Sequence, residues 1–298
     1  MHNRVRKKNV AIVGAGCVGT TLAVMLHEAG YTIGSVVSRH GASAQKLATL
    51  VSCKNYSTSV SAIDPKTELL VITVSEDQII EVASILAKSC NLNFKMLTAF
   101  HTSGALTSEE LRPLFQKGTS VFSLHPIQSF SKYTSLKKQL TRMKEISYGF
   151  EGDTRNYAEA RHIVKKLNGK IVRIPKEAKI LYHIACVCAS NYSVALLGAI
   201  DGLLNDISSS ISMKDLAPLV RTSIDNALQM SPGKALTGPI ARGNISTVQR
   251  HLNALRRKKD FRTLYAILGL YTVTLAREKK TLTQKQILVL NQMLRLKG

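Results

Sequence analysis

The sequence predicts an α/β N-terminal domain with a mostly parallel sheet, followed by an all-helical C-terminal domain. Two patterns and one length carry this expectation. Up to Ile174, short β-branched runs alternate with amphipathic stretches, as in a parallel sheet covered by helices. Beyond Pro175 the strand signals stop and long helical periods take over. A chain of 298 residues is also long enough to bury two cores. The expected domains are therefore 1–174 and 175–298.

Strands are expected at Val10 to Val13, Ile33 to Val37, Leu69 to Val74, Lys95 to Ala99, Ser120 to Leu124, Ile146 to Phe150 and Lys170 to Ile174. Helices are expected at Lys176 to Leu204, Met213 to Met230, Thr247 to Arg257, Asp260 to Arg277 and Thr283 to Leu296. Pro232-Gly233 and Gly238-Pro239 break the helical half. No internal repeat or low-complexity segment is visible.

The first strand runs into Gly14-Ala-Gly-Cys-Val-Gly19, a G-x-G-x-x-G turn between a strand and a helix. In a Rossmann domain Gly14 makes the tight turn, Gly16 lets the backbone approach a pyrophosphate, and Gly19 lets the helix pack on the strand. The N–H groups of Cys17 and Val18 open that helix and point toward the phosphates. The second strand ends in Val36-Val-Ser-Arg-His40, without the carboxylate that would hold the ribose hydroxyls of NAD. Ser38 and Arg39 suit a ribose 2′-phosphate instead, so the expected cofactor is NADP rather than NAD. Arg39 as a solvated loop residue is the alternative. Val74 and Ser75 should pass beside the cofactor, with Asp77 capping the next helix.

Ligands of open α/β sheets lie beyond the carboxyl ends of the strands. Two segments there contain histidine: Phe100-His-Thr-Ser-Gly104 and Ser123-Leu-His-Pro-Ile-Gln128. His101, Ser103 and His125 either form the floor of a site, with His101 beside the cofactor, or serve turns and backbone bonds. On the helix from Lys176, the residues His183, Val187, Ser190 and Asn191 share one stripe among apolar neighbours, and buried polar groups there need partners. Those partners are either a substrate or another helix. The turn Ala235 to Asn244 offers Thr237, Arg242 and Asn244, with Arg242 able to grip a carboxylate through two donors or to form an ordinary salt bridge.

The net charge of +22 raises the possibility of a nucleic-acid partner. Yet the basic residues are spread along the chain, with dense runs only at Arg4 to Lys8 and Arg256 to Lys259, and no nucleic-acid motif accompanies them. A solvated surface that attracts small anionic substrates is the expected reading. Cys17, Cys53, Cys90, Cys186 and Cys188 form no Cys-x-x-Cys pair or Cys/His cluster, so no metal site is expected and a reducing compartment fits. The N-terminus lacks a signal-peptide pattern, and no uninterrupted apolar run reaches membrane-spanning length. The expected location is the cytoplasm.

With these motifs in place, the chain resembles the Rossmann-like proteins with a helical C-terminal domain of unknown function. Gly14 to Gly19, His101-Thr-Ser-Gly-Ala-Leu106, Ser123 to Gln128 and Thr237-Gly-Pro-Ile-Ala-Arg-Gly-Asn244 carry the resemblance, from Val10 to about Leu270. Asn244 departs from the aspartate usual in that family. More distantly the plan is similar to ketopantoate reductases, pyrroline-carboxylate reductases and β-hydroxyacid dehydrogenases. That similarity implies an NADP-dependent oxidoreductase, acting as a homodimer on a small carbonyl or imine that bears a carboxylate, with ketopantoate a candidate. It also implies His183 at the position of a proton-donating lysine, with Asn191 and Ser103 orienting the substrate and Arg242 holding its carboxylate. A non-catalytic NADP-binding regulatory or scaffold protein is the alternative.

Overall fold

The computed structural model describes residues 8–89, 91–207 and 210–295. The chain divides into two compact units, 1–191 and 192–298. In the first, eight strands form one sheet: β1 (Asn9–Val13), β2 (Thr32–Val37), β3 (Tyr56–Ser57), β4 (Leu69–Ile72), β5 (Thr98–His101), β6 (Ser120–Pro126), β7 (Ser147–Gly152) and β8 (Lys170–Arg173). Their order is β3-β2-β1-β4-β5-β6-β7-β8. The first six follow the doubly wound 3-2-1-4-5-6 arrangement, whose order reverses between β1 and β4 and opens a crevice there.

The periodicity of the strands explains the two faces. Val10 and Ile12 point into one core and Ala11 and Val13 into the other, and all four are buried. The first core is covered by α1 (Cys17–Glu28), α2 (Gly41–Leu50) and later helices, the second by α3 (Ile79–Ser89) and α4 (Arg112–Phe115). Phe100, Phe122 and Phe150 form an aromatic ladder across β5, β6 and β7, with ring centroids 5.4 and 5.6 Å apart. Such pairs add to the burial they provide.

Two features were not legible as strands of the expected kind. β3 has only two residues, too few for a period to register. The fifth strand lies at Thr98–His101 rather than Lys95 to Ala99, because Phe94–Met96 form a 3-10 turn before it. β7 runs antiparallel to β6, pairing Glu151 with Ser123, and β8 returns parallel to β7. α5 (Leu136–Arg142) and α6 (Tyr157–Lys166) make the intervening connections.

The sheet ends at Arg173, next to the expected domain boundary, and the compact unit also takes in α7 (Lys179–Val187). A π turn follows at Cys188–Tyr192 and then α8 (Ser193–Asn205). One helical span, Lys176–Asn205, is long and apolar enough by length and composition to cross a bilayer, its most apolar 18-residue window having mean hydropathy 1.6. The span holds no unbroken apolar run of that length, since Lys179, His183, Asn191 and Asp201 interrupt it.

The second unit contains α8, α9 (Met213–Met230), α10 (Pro232–Ala235), α11 (Ile245–Ala254), α12 (Lys259–Glu278) and α13 (Gln284–Leu294). A capping box at Ser212 and Asp215 starts α9, and another at Thr283 and Gln286 starts α13. Its core gathers Ile240, Val248, Leu252, Ala266, Val273, Leu290 and Leu294. The expected end of the last helix at Leu296, the basic run at Arg4 to Lys7 and Cys90 lie outside the described residues.

Candidate functional site

The glycine turn performs three separate jobs. Gly14 has φ +109°, and a Cβ there would lie 2.7 Å from the Thr73 carbonyl oxygen. A Cβ on Gly19 would lie 2.0 Å from the Gly14 carbonyl oxygen, so the helix can approach only without one. Around Gly16 there is open space, and Gly16 caps α1 without any side-chain bond. The N-terminal N–H groups of α1, at Cys17, Val18 and Gly19, therefore face a cradle free of side chains, which suits a pyrophosphate. Thr73 fixes the turn from β4, its hydroxyl donating to Gly14 O at 2.8 Å.

Ser38 and Arg39 follow β2 on the same edge of the sheet. Ser38 N–H donates to Ser57 O at 3.1 Å, and the Arg39 side chain is exposed, with no ion pair among the described residues. Both suit a phosphate on the adenosine ribose. Val74 and Ser75 form the loop after β4. The cap there is Ser75 rather than Asp77: Ser75 precedes a 3-10 turn at Glu76–Gln78, and its Oγ reaches Gln78 Oε1 at 2.9 Å. Asp77 sits inside that turn, one residue before the position that would cap α3.

At the ends of β5 and β6, polar groups close on one another. His101 is fully buried, its Nε2 donating to Thr107 O at 2.9 Å and its Nδ1 accepting from Ser103 N–H at 3.2 Å. Burial pushes its pKa down to about 4, helped by the Lys179 charge and opposed by the Thr107 carbonyl. Both ring nitrogens are thus committed to the loop. Ser103 Oγ donates to Glu76 and accepts from the N–H groups of Ala105 and Leu106 at 3.1 and 2.9 Å. Its hydroxyl shapes a turn as well as facing the site.

The sequence reading passed over Lys179. This residue is 1% exposed, and its Nζ donates to Ser123 Oγ. Ser123 stands opposite Glu151 in the β6–β7 register, and Glu151 is itself buried, accepting from Ser108 N–H at 2.6 Å. Burial lowers the Lys179 pKa to about 8, while Glu151 and Glu76 hold it from falling further. One turn later on α7 stands His183. A buried lysine thus stands four residues before His183, the residue that the resemblance puts at the lysine position. A lysine at the start of an amphipathic helix reads as a surface residue, and only the fold across it reveals otherwise.

His183 Nδ1 is buried without a hydrogen-bond partner. It faces Gly104, where a Cβ would lie 2.5 Å from it and 3.0 Å from His125 Nε2. The two imidazoles are 6.3 Å apart, and His125 Nδ1 pairs with the Tyr182 hydroxyl at 2.6 Å. Burial, then Lys179, then His183 take the His125 pKa down to about 4, so this ring is neutral at physiological pH. The structure thus brings His101, Ser103, Ser123, His125, Lys179, Tyr182 and His183 into one cluster.

Ser190 and Asn191 lie in the π turn, exposed, with Ser190 Oγ donating to Asn191 Oδ1 at 3.0 Å. The wider turn breaks the α-helical stripe expected from His183 to Asn191, and the exposure removes the burial argument for it. In the second unit, Arg242 is exposed without an ion pair among the described residues, between Gly238 and Gly243, both at positive φ. Asn244 caps α11, accepting from Thr247 N–H at 3.2 Å, a task aspartate performs equally well. No group of His, Cys, Asp and Glu able to hold a metal ion occurs among the described residues.

Comparison with known proteins agrees with this architecture. The family model described as a Rossmann-like domain matches residues 2–126, and the domain of unknown function DUF2520 matches residues 146–272. None of the curated proteins matches the sequence. A candidate NADP oxidoreductase from Bacteroides fragilis superposes with a TM-score of 0.72 and 22% identity, over 91% of this chain and 98% of its own. A protein of Thermotoga maritima gives 0.71 and 26%, over 91% and 99%. The imine reductase of Myxococcus stipitatus, solved with NADP+, gives 0.60 and 15%, over 97% and 100%.

The close packing at residue 104 makes a prediction. Gly104→Ala should displace the His183 and His125 rings while leaving a folded protein, which is read as shifted imidazole resonances in the NMR spectrum with unchanged circular dichroism. Unmoved histidine resonances would show that the loop does not seat the two rings.

Proposed function

We propose that this chain, which belongs to the Rossmann-like proteins carrying a DUF2520 domain, is a cytoplasmic NADP-dependent oxidoreductase that reduces a small carbonyl or imine bearing a carboxylate. Ketopantoate is a first candidate. The observation that carries this reading is the buried Lys179 at the strand ends of a sheet whose glycine turn is shaped for a dinucleotide.

The bound cofactor supplies a hydride from its nicotinamide. The protein's own part is to bind, orient and protonate. Gly14, Gly16, Cys17, Val18 and Gly19 hold the pyrophosphate through backbone groups, with Val74 and Ser75 forming the neighbouring wall. Ser38 and Arg39 hold the ribose phosphate. Lys179 and His183, one turn apart on α7, face the reacting carbon, and Lys179 returns the proton because its pKa near 8 matches physiological pH. His183 presents its unpaired Nδ1 to the substrate, and Ser103 and Asn191 orient it. His101 serves this site by fixing the loop beside the cofactor.

The protein acts as a homodimer in this reading. Ile180, Leu181, Ile184, Tyr192 and Val194 are exposed along Lys176–Asn205, an apolar patch of the kind that a second copy covers. Lys179, His183, Asn191 and Asp201 within that span favour a protein partner over lipid. The spread of positive charge serves attraction of the anionic substrate rather than nucleic acid.

Three outcomes are expected. Arg39→Ala should weaken NADPH at least about tenfold and leave NADH within about twofold, since one charge-assisted phosphate pair is lost; equal loss for both cofactors would remove Arg39 from phosphate recognition. Reduction of a panel of 2-oxo acids and cyclic imines should fall as pH rises through about 8, when Lys179 loses its proton, and Lys179→Met should reduce kcat at least about 100-fold. A kcat that Lys179→Met leaves intact would reassign the acid. Light scattering of the purified protein should give twice the chain mass, and Leu181→Glu with Ile184→Glu should give the monomer; a wild-type monomer would refute the dimer.

A further inference from the structure

We infer that the first unit carries a second ligand site, for a small organic anion with an apolar body, at the edge of the sheet opposite the glycine turn. Because β7 and β8 run against β6, their carboxyl ends lie at the amino end of β6. A cavity of about 920 Å³ opens there, lined among others by Arg112, Thr119, Val121, Glu151, Arg155 and Ile174. That size is within the range of metabolite-binding clefts.

Its lining gives it a specific chemistry. Thr119 is 2% exposed, and its Oγ1 has no hydrogen-bond partner. A buried hydroxyl left unpaired is costly, and a ligand oxygen in the adjacent cavity would satisfy it. Arg112 presents a guanidinium with no ion pair among the described residues. Of the other cations at the mouth, Arg155 is held by Asp153 through two bonds, at 3.0 and 2.6 Å, whereas Lys176 makes a single exposed pair with Glu109 at 2.6 Å, of the kind readily exchanged for a ligand. The carboxylate of Glu151 is tied to Ser108 N–H and Oγ, and its charge is met by the ammonium groups of Lys176 and Lys179. Phe115, Val121, Ile174 and Pro175 supply apolar wall.

The site is separate from the one assigned to cofactor and substrate, and it stands whether or not the chain is a reductase. Phenyl phosphate is a suitable probe, because it joins an anion to a flat apolar body; inorganic phosphate lacks the body. Calorimetric titration of the full chain with phenyl phosphate should give saturable one-to-one binding, at least about fivefold tighter than inorganic phosphate, since burial of a ring is favourable. Arg112→Ala and Thr119→Val should each weaken it about five- to tenfold, and Gly16→Ala should leave it unchanged. Thr119→Val doubles as a control on folding, since removing an unpaired hydroxyl preserves or raises the melting temperature. No saturable binding, equal binding of inorganic phosphate, loss of binding in Gly16→Ala, or indifference to both Arg112→Ala and Thr119→Val would each overturn the assignment.

Discussion

The ammonium group of Lys179 is the constraint around which the first unit is organised. A charge taken out of water must be met by hydrogen bonds and opposite charge, or it is lost as a proton. Here Ser123 meets it from β6, and Glu151 stands opposite Ser123 on β7. This juxtaposition exists because β7 reverses direction: a parallel neighbour would have brought a different register to the same place. The charge then reaches outward, lowering the pKa of both His101 and His125 after burial has done most of the work. Two imidazoles are thereby kept neutral, able to donate and accept at once.

Much of the fold was legible because its signals are local. The Gly14-Gly16-Gly19 spacing encodes a turn, an open cradle and a close helix contact within six residues, and each glycine meets the surroundings its position implied. The strands buried on both faces and the long C-terminal helices announce themselves by period. Met213–Met230 is bounded as expected because a capping box starts it and Pro232 follows its end. What escaped depends on distant residues. β3 is paired by β2 rather than by its own composition, and the direction of β7 leaves no trace in a period of two.

The candidate site divides the same way. His183 was legible as a polar residue on an apolar helix, and the cofactor loop as a motif. Lys179 was not, since a lysine is a surface residue unless something folds over it, and that something is β6, more than fifty positions earlier. The break in the helix at Cys188–Tyr192 was equally hidden, because no proline or glycine marks it. Ser103 and His101 were correctly placed at strand ends, yet their bonds run mostly into their own loop.

Gly104 lies where a strand-end loop and a helix from much later in the chain meet, and the meeting is decided by one missing carbon. Chemical complementarity can be rebuilt by many combinations of side chains, but here the absence of a Cβ lets two imidazoles close on the loop, and any added carbon must push them away. The seat of α7 on the sheet is therefore a matter of shape before it is a matter of charge, and drift in the chemistry of the cluster can proceed around a fixed mechanical joint.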